Sequence, residues 1–215
     1  MSNFEQVMDL WHRVNEIDQQ KIEQLRALVY EYAQSHAGEI DLQDLRNRII
    51  APEELERAPD KGSSVVIRDW MLKRLLTSAK TRLDVHSALD KFVEIFTFRS
   101  EHGIRELTLE NTVPVEIYDL DAVVEEGVAR DGNRLVIMRI KLYRKMPQLD
   151  MLIKRAALYY FEQFDLEYER TGVPFTLVID TQDFNFMRNL NMDMLHFGLK
   201  LGFMFPGFFH RVLVY

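Results

Sequence analysis

The chain has 215 residues, of which 47% are hydrophobic and 28% charged, the composition of an ordinary globular protein. Its formal net charge of -7 argues against bulk nucleic-acid binding, because such binding depends on Lys and Arg side chains that neutralise phosphates. Cysteine is absent, which excludes disulfides and thiolate chemistry. The length allows one domain of common size with a smaller helical domain beside it.

Neither a leader nor a membrane span is predicted. The first residues lack the basic and apolar parts of a secretory signal. No stretch reaches the roughly 18 uncharged apolar residues that are needed to cross a bilayer. We therefore expect a soluble, cytoplasmic protein.

Residues 4–35 repeat apolar side chains every three or four positions, the period of an amphipathic helix. A membrane-surface helix would carry Lys and Arg on its polar side, whereas this polar side is mixed and leans acidic. The pattern thus favours a helix that packs against other helices. The Pro, Gly and Ser cluster at residues 58–64 predicts a linker.

Two further helices are predicted before the sheet begins. The first covers about residues 65–79, with Val66, Trp70 and Leu76 on its apolar side. The second has Asp84 as its N-cap, because the apolar repeat begins just after it, and it ends at Gly103, a residue type favoured at helix ends.

A hairpin and a long helix follow. Strand-like runs at residues 122–128 and 135–141 flank Asp131-Gly132, a pair typical of a primed hairpin turn, which requires positive φ. Residues 149–168 then show the helical period. The order of elements predicts that the sheet begins with an antiparallel pair.

The last forty residues predict a parallel strand–helix–strand unit. Residues 175–180 and 211–215 are almost continuously apolar, as in strands buried on both faces, and residues 190–205 have helical spacing. Two strands bury too little to stand alone, so we expect a sheet cut short after the last strand. The alternative is that residues 211–215 are inserted between earlier strands.

Five short motifs follow one another along residues 65–215. They are Leu83-Asp84-Val85, Phe98-Arg99-Ser100, Asp131-Gly-Asn-Arg-Leu135, Ile179-Asp180 and Phe205-Pro-Gly-Phe208. Together they resemble the CRAL-TRIO lipid-binding family, which carries Phe-Asp-Val and Trp-Arg-Lys in a helical region. Its lipid-binding lobe carries Asp-x-Gly-Arg-Pro-Val, a Val-Asp strand end and a Tyr-Pro-Glu-Arg turn. Where the motifs match the family pattern less closely, the chain resembles the CRAL-TRIO lobe of motile-sperm-domain-containing membrane-tether proteins.

The resemblance implies an α/β fold in which N-terminal helices precede a mixed sheet flanked by helices and truncated at its C-terminal end. It divides the chain into an N-terminal extension (1–62), a helical region (63–112) and the first part of the lobe (113–215). It also implies that a lipid or other small hydrophobic molecule lies in an apolar pocket over the sheet. The residues expected to form the floor of that pocket are Ile137, Ile140, Leu177, Ile179, Phe197 and Leu201.

The chain carries only part of the basic pair that recognises phosphate in this family. Inositol-lipid-binding relatives use a basic pair before the Phe-Asp-Val motif, and the corresponding residues here are Thr81 and Arg82, with Lys80 before them. One basic residue of the pair is missing, so Arg82 alone is the candidate phosphate contact. A solvated surface charge is the alternative interpretation of Lys80 and Arg82.

Catalysis and cofactor binding have little support in the sequence. Asp180 follows a parallel strand, where α/β active sites lie, but no Lys or second acidic cluster accompanies it. We therefore expect its side chain to form a hydrogen bond with the backbone of its own turn. The six histidines form no pair three or four residues apart, and no Gly-rich loop precedes a helix. We expect no enzyme activity, no metal and no cofactor.

The expected function is non-enzymatic binding or transfer of a hydrophobic molecule at or between intracellular membranes, with transient contact to a membrane surface. Two alternatives stay open. One is a protein-interaction module that binds a partner through residues 1–60, and the other is a truncated form that no longer holds lipid. Nucleic acid is not an expected partner.

Overall fold

The computed structural model describes residues 19–36, 69–78, 81–112, 122–143, 147–189, 191–207 and 209–215. The chain divides into two compact units, an N-terminal unit of residues 1–102 and a sheet unit of residues 103–215. The predicted α/β class is confirmed, because helices flank a four-stranded mixed sheet that does not close into a barrel. Among the helices that the structure describes, none is long and apolar enough to cross a membrane.

In the N-terminal unit the structure describes three packed helices: α1 (Gln19–Ser35), α2 (Asp69–Thr77) and α3 (Val85–Glu101). Their buried residues recur at three- and four-residue intervals, so each helix contributes one apolar face to a shared core. The fully buried members of that core are Ile22, Leu25, Val29, Leu72, Leu75, Leu76, Ala88, Phe92 and Phe96. The predictions for residues 4–18 and for the linker at 58–64 lie outside the described residues.

Both predicted ends of α3 are confirmed. The side chain of Asp84 accepts a hydrogen bond from the backbone N–H of Ser87 at 2.7 Å, which satisfies one of the free donors at the start of the helix. At the other end His102 donates its backbone N–H to the carbonyl of Phe98. Gly103 follows in the left-handed conformation, with φ of 55°.

The sheet unit begins at a 3₁₀ turn (Ile104–Glu106) and a short helix, α4 (Leu109–Thr112). The division predicted after residue 112 lies later than the boundary between the units. Both elements pack against the long helix of the sheet unit, α5 (Pro147–Thr171), and therefore belong to it.

The sheet has the strand order β1-β2-β3-β4. Its strands are β1 (Val123–Val128), β2 (Arg134–Arg139), β3 (Phe175–Asp180) and β4 (Phe209–Val214). The first pair is antiparallel and the other two pairs are parallel. After β2 comes a 3₁₀ turn (Ile140–Leu142), and between β3 and β4 come α6 (Phe186–Asn189) and α7 (Met192–Met204).

The hairpin between β1 and β2 is confirmed, but its turn is not of the primed type. Gly132 has φ of 86°, whereas Asp131 does not have positive φ, which a primed turn would require. The N–H of Gly132 bonds the carbonyl of Ala129 at 3.0 Å, and the N–H of Ala129 bonds the carbonyl of Asn133 at 2.8 Å. This is a type I turn closed by a left-handed glycine.

The last strand pairs in parallel with β3, as the sequence predicts. It lies at the edge of the described sheet, so the alternative that it is inserted between earlier strands is wrong. Val212 and Val214 are exposed, although their apolar run is typical of a strand buried on both faces. Composition cannot distinguish an edge strand from a central one, because burial depends on what packs on either side.

Candidate ligand-binding face of the sheet

The strand register divides the sheet into two faces. Val136 pairs with Leu177, and Ile137 pairs with Val178. Because neighbouring residues on a strand point to opposite sides, these two pairs lie on opposite faces. We call the side of Val136 and Leu177 the helix face and the side of Ile137 and Val178 the opposite face.

α5 covers the helix face. Its Phe164 ring lies 5.1 Å from the ring of Phe175 at the start of β3, and its Phe161 ring lies 5.5 Å from that of Phe209 on β4. Phe161 also contacts Phe205 at the end of α7, with 5.7 Å between the ring centroids. α7 packs against α5 and therefore lies on the same side. This face is a conventional core of a sheet and two helices.

A row of apolar side chains crosses the opposite face. In register across the four strands are Val124, Ile137, Val178 and Leu213. The first three are half-buried and Leu213 is 43% exposed, so the row stays partly accessible. Three inter-strand spacings of about 4.8 Å make the row roughly 14 Å long.

Polar residues flank this row on the same face. Toward the carboxyl ends of the parallel strands, Arg139 pairs in register with Asp180, and its guanidinium lies 3.7 Å from Glu126. Toward the other end, Thr176 lies between Leu135 and Arg211. Thr176 is only 3% exposed, and its hydroxyl has no hydrogen-bond partner among the described residues. A buried hydroxyl without a partner is unusual, because leaving one unsatisfied costs free energy.

The structure does not bring the six predicted floor residues together. Leu177 and Ile179 lie on the helix face, where Leu177 is buried. Leu201 is buried on α7, and Phe197 on the same helix is half-buried, with the Lys154 ammonium 5.6 Å from its ring. Ile137 lies on the opposite face. Ile140 is half-buried in the 3₁₀ turn that follows β2.

Ile137 is thus the one predicted floor residue that the register places in the apolar row. The prediction counted apolar residues along each strand without assigning them to faces. Side chains alternate between the two faces along a strand, so Val178 lies on the other face from Leu177 and Ile179. This alternation can be read from the sequence and could have assigned each residue to a face. The pairing between strands, which aligns Ile137 with Val178 and Leu213, is not readable from one strand alone.

The candidate phosphate contact, Arg82, lies in the N-terminal unit. It is exposed in the turn between α2 and α3 and has φ of 48°. Its neighbour Thr81 is buried, and its hydroxyl lies 2.8 Å from the carbonyl of Leu75 and 2.7 Å from that of Leu76. Thr81 therefore closes the end of α2, so it is a structural residue. Lys80 lies outside the described residues.

The carboxyl edge of the sheet carries a hydrogen-bonded polar cluster. Asn191 caps α7 by accepting from the N–H of Asp193 at 3.0 Å, and its amide donates to the Tyr143 hydroxyl at 2.9 Å and to Asp150 at 3.0 Å. Tyr143 in turn donates to Asp150 at 3.1 Å. Burial raises the pKa of Tyr143, with a smaller contribution from the Asp150 carboxylate. The cluster joins the segment after β2 to α5 and α7.

Asp180 has the local role that the sequence predicts. Its carboxylate accepts the N–H of Gln182 at 2.9 Å, which closes the turn after β3. Within the part of the chain that the structure describes, no three His, Asp or Glu side chains converge as metal ligands would. A comparison with models of known protein families finds no match for the chain.

Proposed function

We propose that the sheet unit binds a lipid or another small hydrophobic molecule across the opposite face of its sheet, without catalysing a reaction. The apolar row of Val124, Ile137, Val178 and Leu213 is the observation that supports this proposal. These four side chains form a continuous and partly accessible strip, which supplies the apolar lining that sites for hydrophobic ligands have.

The dimensions of the row suit an extended hydrocarbon chain. A hydrocarbon segment about 14 Å long would cover all four strands. Burial of each of its methylene groups contributes about 0.8 kcal/mol to the free energy of binding. The ligand would lie across the strands, because the apolar residues align in register from β1 to β4.

The polar residues beside the row would bind the polar end of such a ligand. The buried hydroxyl of Thr176 can donate to or accept from a ligand head group, which would satisfy an atom that has no partner among the described residues. Arg211 is exposed next to it on the same face and carries a positive charge. A carboxylate or phosphate head group would complement this end of the row.

The resemblance to the CRAL-TRIO family supports the same proposal and extends it. Under that resemblance the protein would carry or exchange its ligand at or between intracellular membranes, as a cytoplasmic protein in transient contact with a membrane surface.

A protein-interaction module is the second candidate. The apolar face of α1 is not available to a partner, because Ile22, Leu25 and Val29 are buried within the N-terminal unit. This second function would therefore need other residues of the first sixty.

Native mass spectrometry of the purified chain, followed by loading with a fluorescent phosphatidylcholine and gel filtration, tests the proposal. We expect a co-purified species of one lipid mass or, after loading, one probe molecule retained per chain. A chain that carries no lipid as purified and retains no probe would contradict lipid binding.

A further inference from the structure

The two edges of the sheet differ in how they are protected. β1 at one edge carries the exposed carboxylates of Glu125 and Glu126, and its pairing is irregular between Glu125 and Val128. Charges and bulges of this kind keep an edge strand from pairing with another chain. β4 at the other edge has a register shift at its start, opposite Phe175 and Thr176, but Val212, Leu213 and Val214 follow its single Arg in regular register. Among the described residues, this stretch of the edge is therefore apolar and has neither a charge nor a bulge to prevent pairing.

The helix layer ends at the same side of the unit with a second apolar surface. Met192, Leu195, Leu199 and Phe203 repeat at intervals of three and four along α7, and all four are exposed, Leu199 to 58%. They lie opposite the face of α7 that buries Leu201 and Met204. We call these four residues, together with Val212 and Val214 of β4, the apolar margin.

Glycines adjoin the apolar margin. Gly198 and Gly202 lie four residues apart on the flank of α7 next to Leu195, and a Cβ atom at either position would contact nothing within 4 Å. Small residues at this spacing allow the backbone of another helix to approach closely.

We propose that the apolar margin is the interface of a symmetric homodimer, in which two β4 edges pair in antiparallel fashion and the two copies of α7 pack side by side. The inference is independent of the proposed ligand function, because the margin lies at the edge and on the helix side of the sheet. The apolar row lies on the opposite face.

A second copy is favoured over a lipid surface because of the hydrogen bonds that the edge requires. Lipid tails offer no donors or acceptors to the N–H and C=O groups of a strand edge, whereas another strand pairs with them. A second copy supplies both a strand edge and an apolar helix, and a two-fold axis brings like elements together.

The exposed area of the margin approaches that of a stable dimer interface. Six large apolar side chains at about half exposure or more leave roughly 100 Å² each, or about 600 Å² per copy. The β4 backbone and the two glycines add to this value. Stable interfaces bury about 800 Å² per partner.

Light scattering coupled to gel filtration tests the inference on the full chain. We expect twice the monomer mass. Val212→Lys on β4 and Leu199→Glu on α7 should each give a monomer, while Val128→Lys on the opposite edge and Met151→Glu on α5 should leave the dimer intact. All four substituted residues are exposed, so the variants should fold.

Cross-linking supplies a second measurement, because the chain has no native cysteine. Under oxidation, Leu199→Cys should form a disulfide between copies and Met151→Cys should not. A monomeric wild-type chain, open-ended oligomers, or a dimer that survives both margin substitutions would overturn the inference.

Discussion

Ile137 and Leu177 lie on opposite faces of the sheet, because Ile137 pairs in register with Val178, the residue next to Leu177. That offset of one residue separates the buried core between sheet and helices from the apolar row where we propose that a ligand binds. It also makes the two faces independently testable, because substitutions on one face need not disturb the other.

The apolar row can be tested by adding a hydroxyl to it. Val178→Thr keeps the shape of the side chain while making one point of the row polar, so we expect roughly tenfold weaker binding of a fluorescent fatty acid, equivalent to about 1.4 kcal/mol. The matched control is Val128→Thr, the same change at an exposed position on the helix side of β1. Equal affinity in the two variants would exclude the row as the binding site.

Thr176 offers a test in which stability and binding change in opposite directions. Thr176→Val removes a buried hydroxyl that has no partner among the described residues, so we expect the free energy of unfolding to rise by up to about 1 kcal/mol. If a ligand head group bonds this hydroxyl, the same variant should bind the fatty acid several-fold more weakly. Unfolding in urea and fluorescence titration measure the two effects, and unchanged affinity would place the head group elsewhere.

Leu25 distinguishes packing from partner binding in α1. The residue is fully buried, so Leu25→Ala should lower the free energy of unfolding by about 2–5 kcal/mol through lost burial and the cavity that it leaves. Gln24→Ala, at the exposed neighbouring position on the same helix, should change it by less than about 0.5 kcal/mol. Urea unfolding followed by circular dichroism measures both, and equal stabilities would contradict the packing interpretation.

Because of the Asp84 carboxyl, we expect the stability of the N-terminal unit to depend on pH. The hydrogen bond from the backbone of Ser87 lowers the pKa of this carboxyl below its ordinary value of 3.8. A carboxyl whose pKa is depressed on folding stabilises the folded state above its unfolded pKa, and this contribution is lost as the pH falls through the folded pKa. Asp84→Asn keeps an oxygen that can cap the helix but does not titrate.

We therefore expect wild type and Asp84→Asn to differ by a constant amount of stability near neutral pH, and this difference to shrink below about pH 4. Asp90→Asn, at an exposed position within α3, is the control. Thermal unfolding across this pH range is the measurement. A difference that does not change with pH would show that the Asp84 carboxylate gains nothing from ionisation in the folded chain.

Asn191 combines two roles that substitutions can separate. Asn191→Ala removes both the cap of α7 and the bonds to Tyr143 and Asp150, and we expect a loss of about 2 kcal/mol. Asn191→Ser keeps an oxygen for the cap and should lose about half as much. Hydrogen exchange of the α7 amides reports on this element directly, and equal losses in the two variants would mean that the cap contributes nothing.

Much of the local structure could be predicted from the sequence. β3 has the bounds predicted for it, 175–180, and α3 begins after Asp84 and ends before Gly103. These signals are local, because a cap, a left-handed glycine or a short β-branched run acts through atoms a few residues away. The candidate site was less predictable, since only Ile137 of its four row residues was among the predicted floor residues.

By itself, the sequence determined the longer helices and the strands of the described residues, the antiparallel hairpin at Gly132 and the parallel unit that ends in β4, but not the short helices α4 and α6. Only the tertiary structure decided which face each apolar residue occupies and that Val212 and Val214 lie at an exposed edge. The physical reason is that helix periodicity, capping and turn chemistry are short-range. Burial of a strand residue depends on register and on neighbours that are distant in the chain.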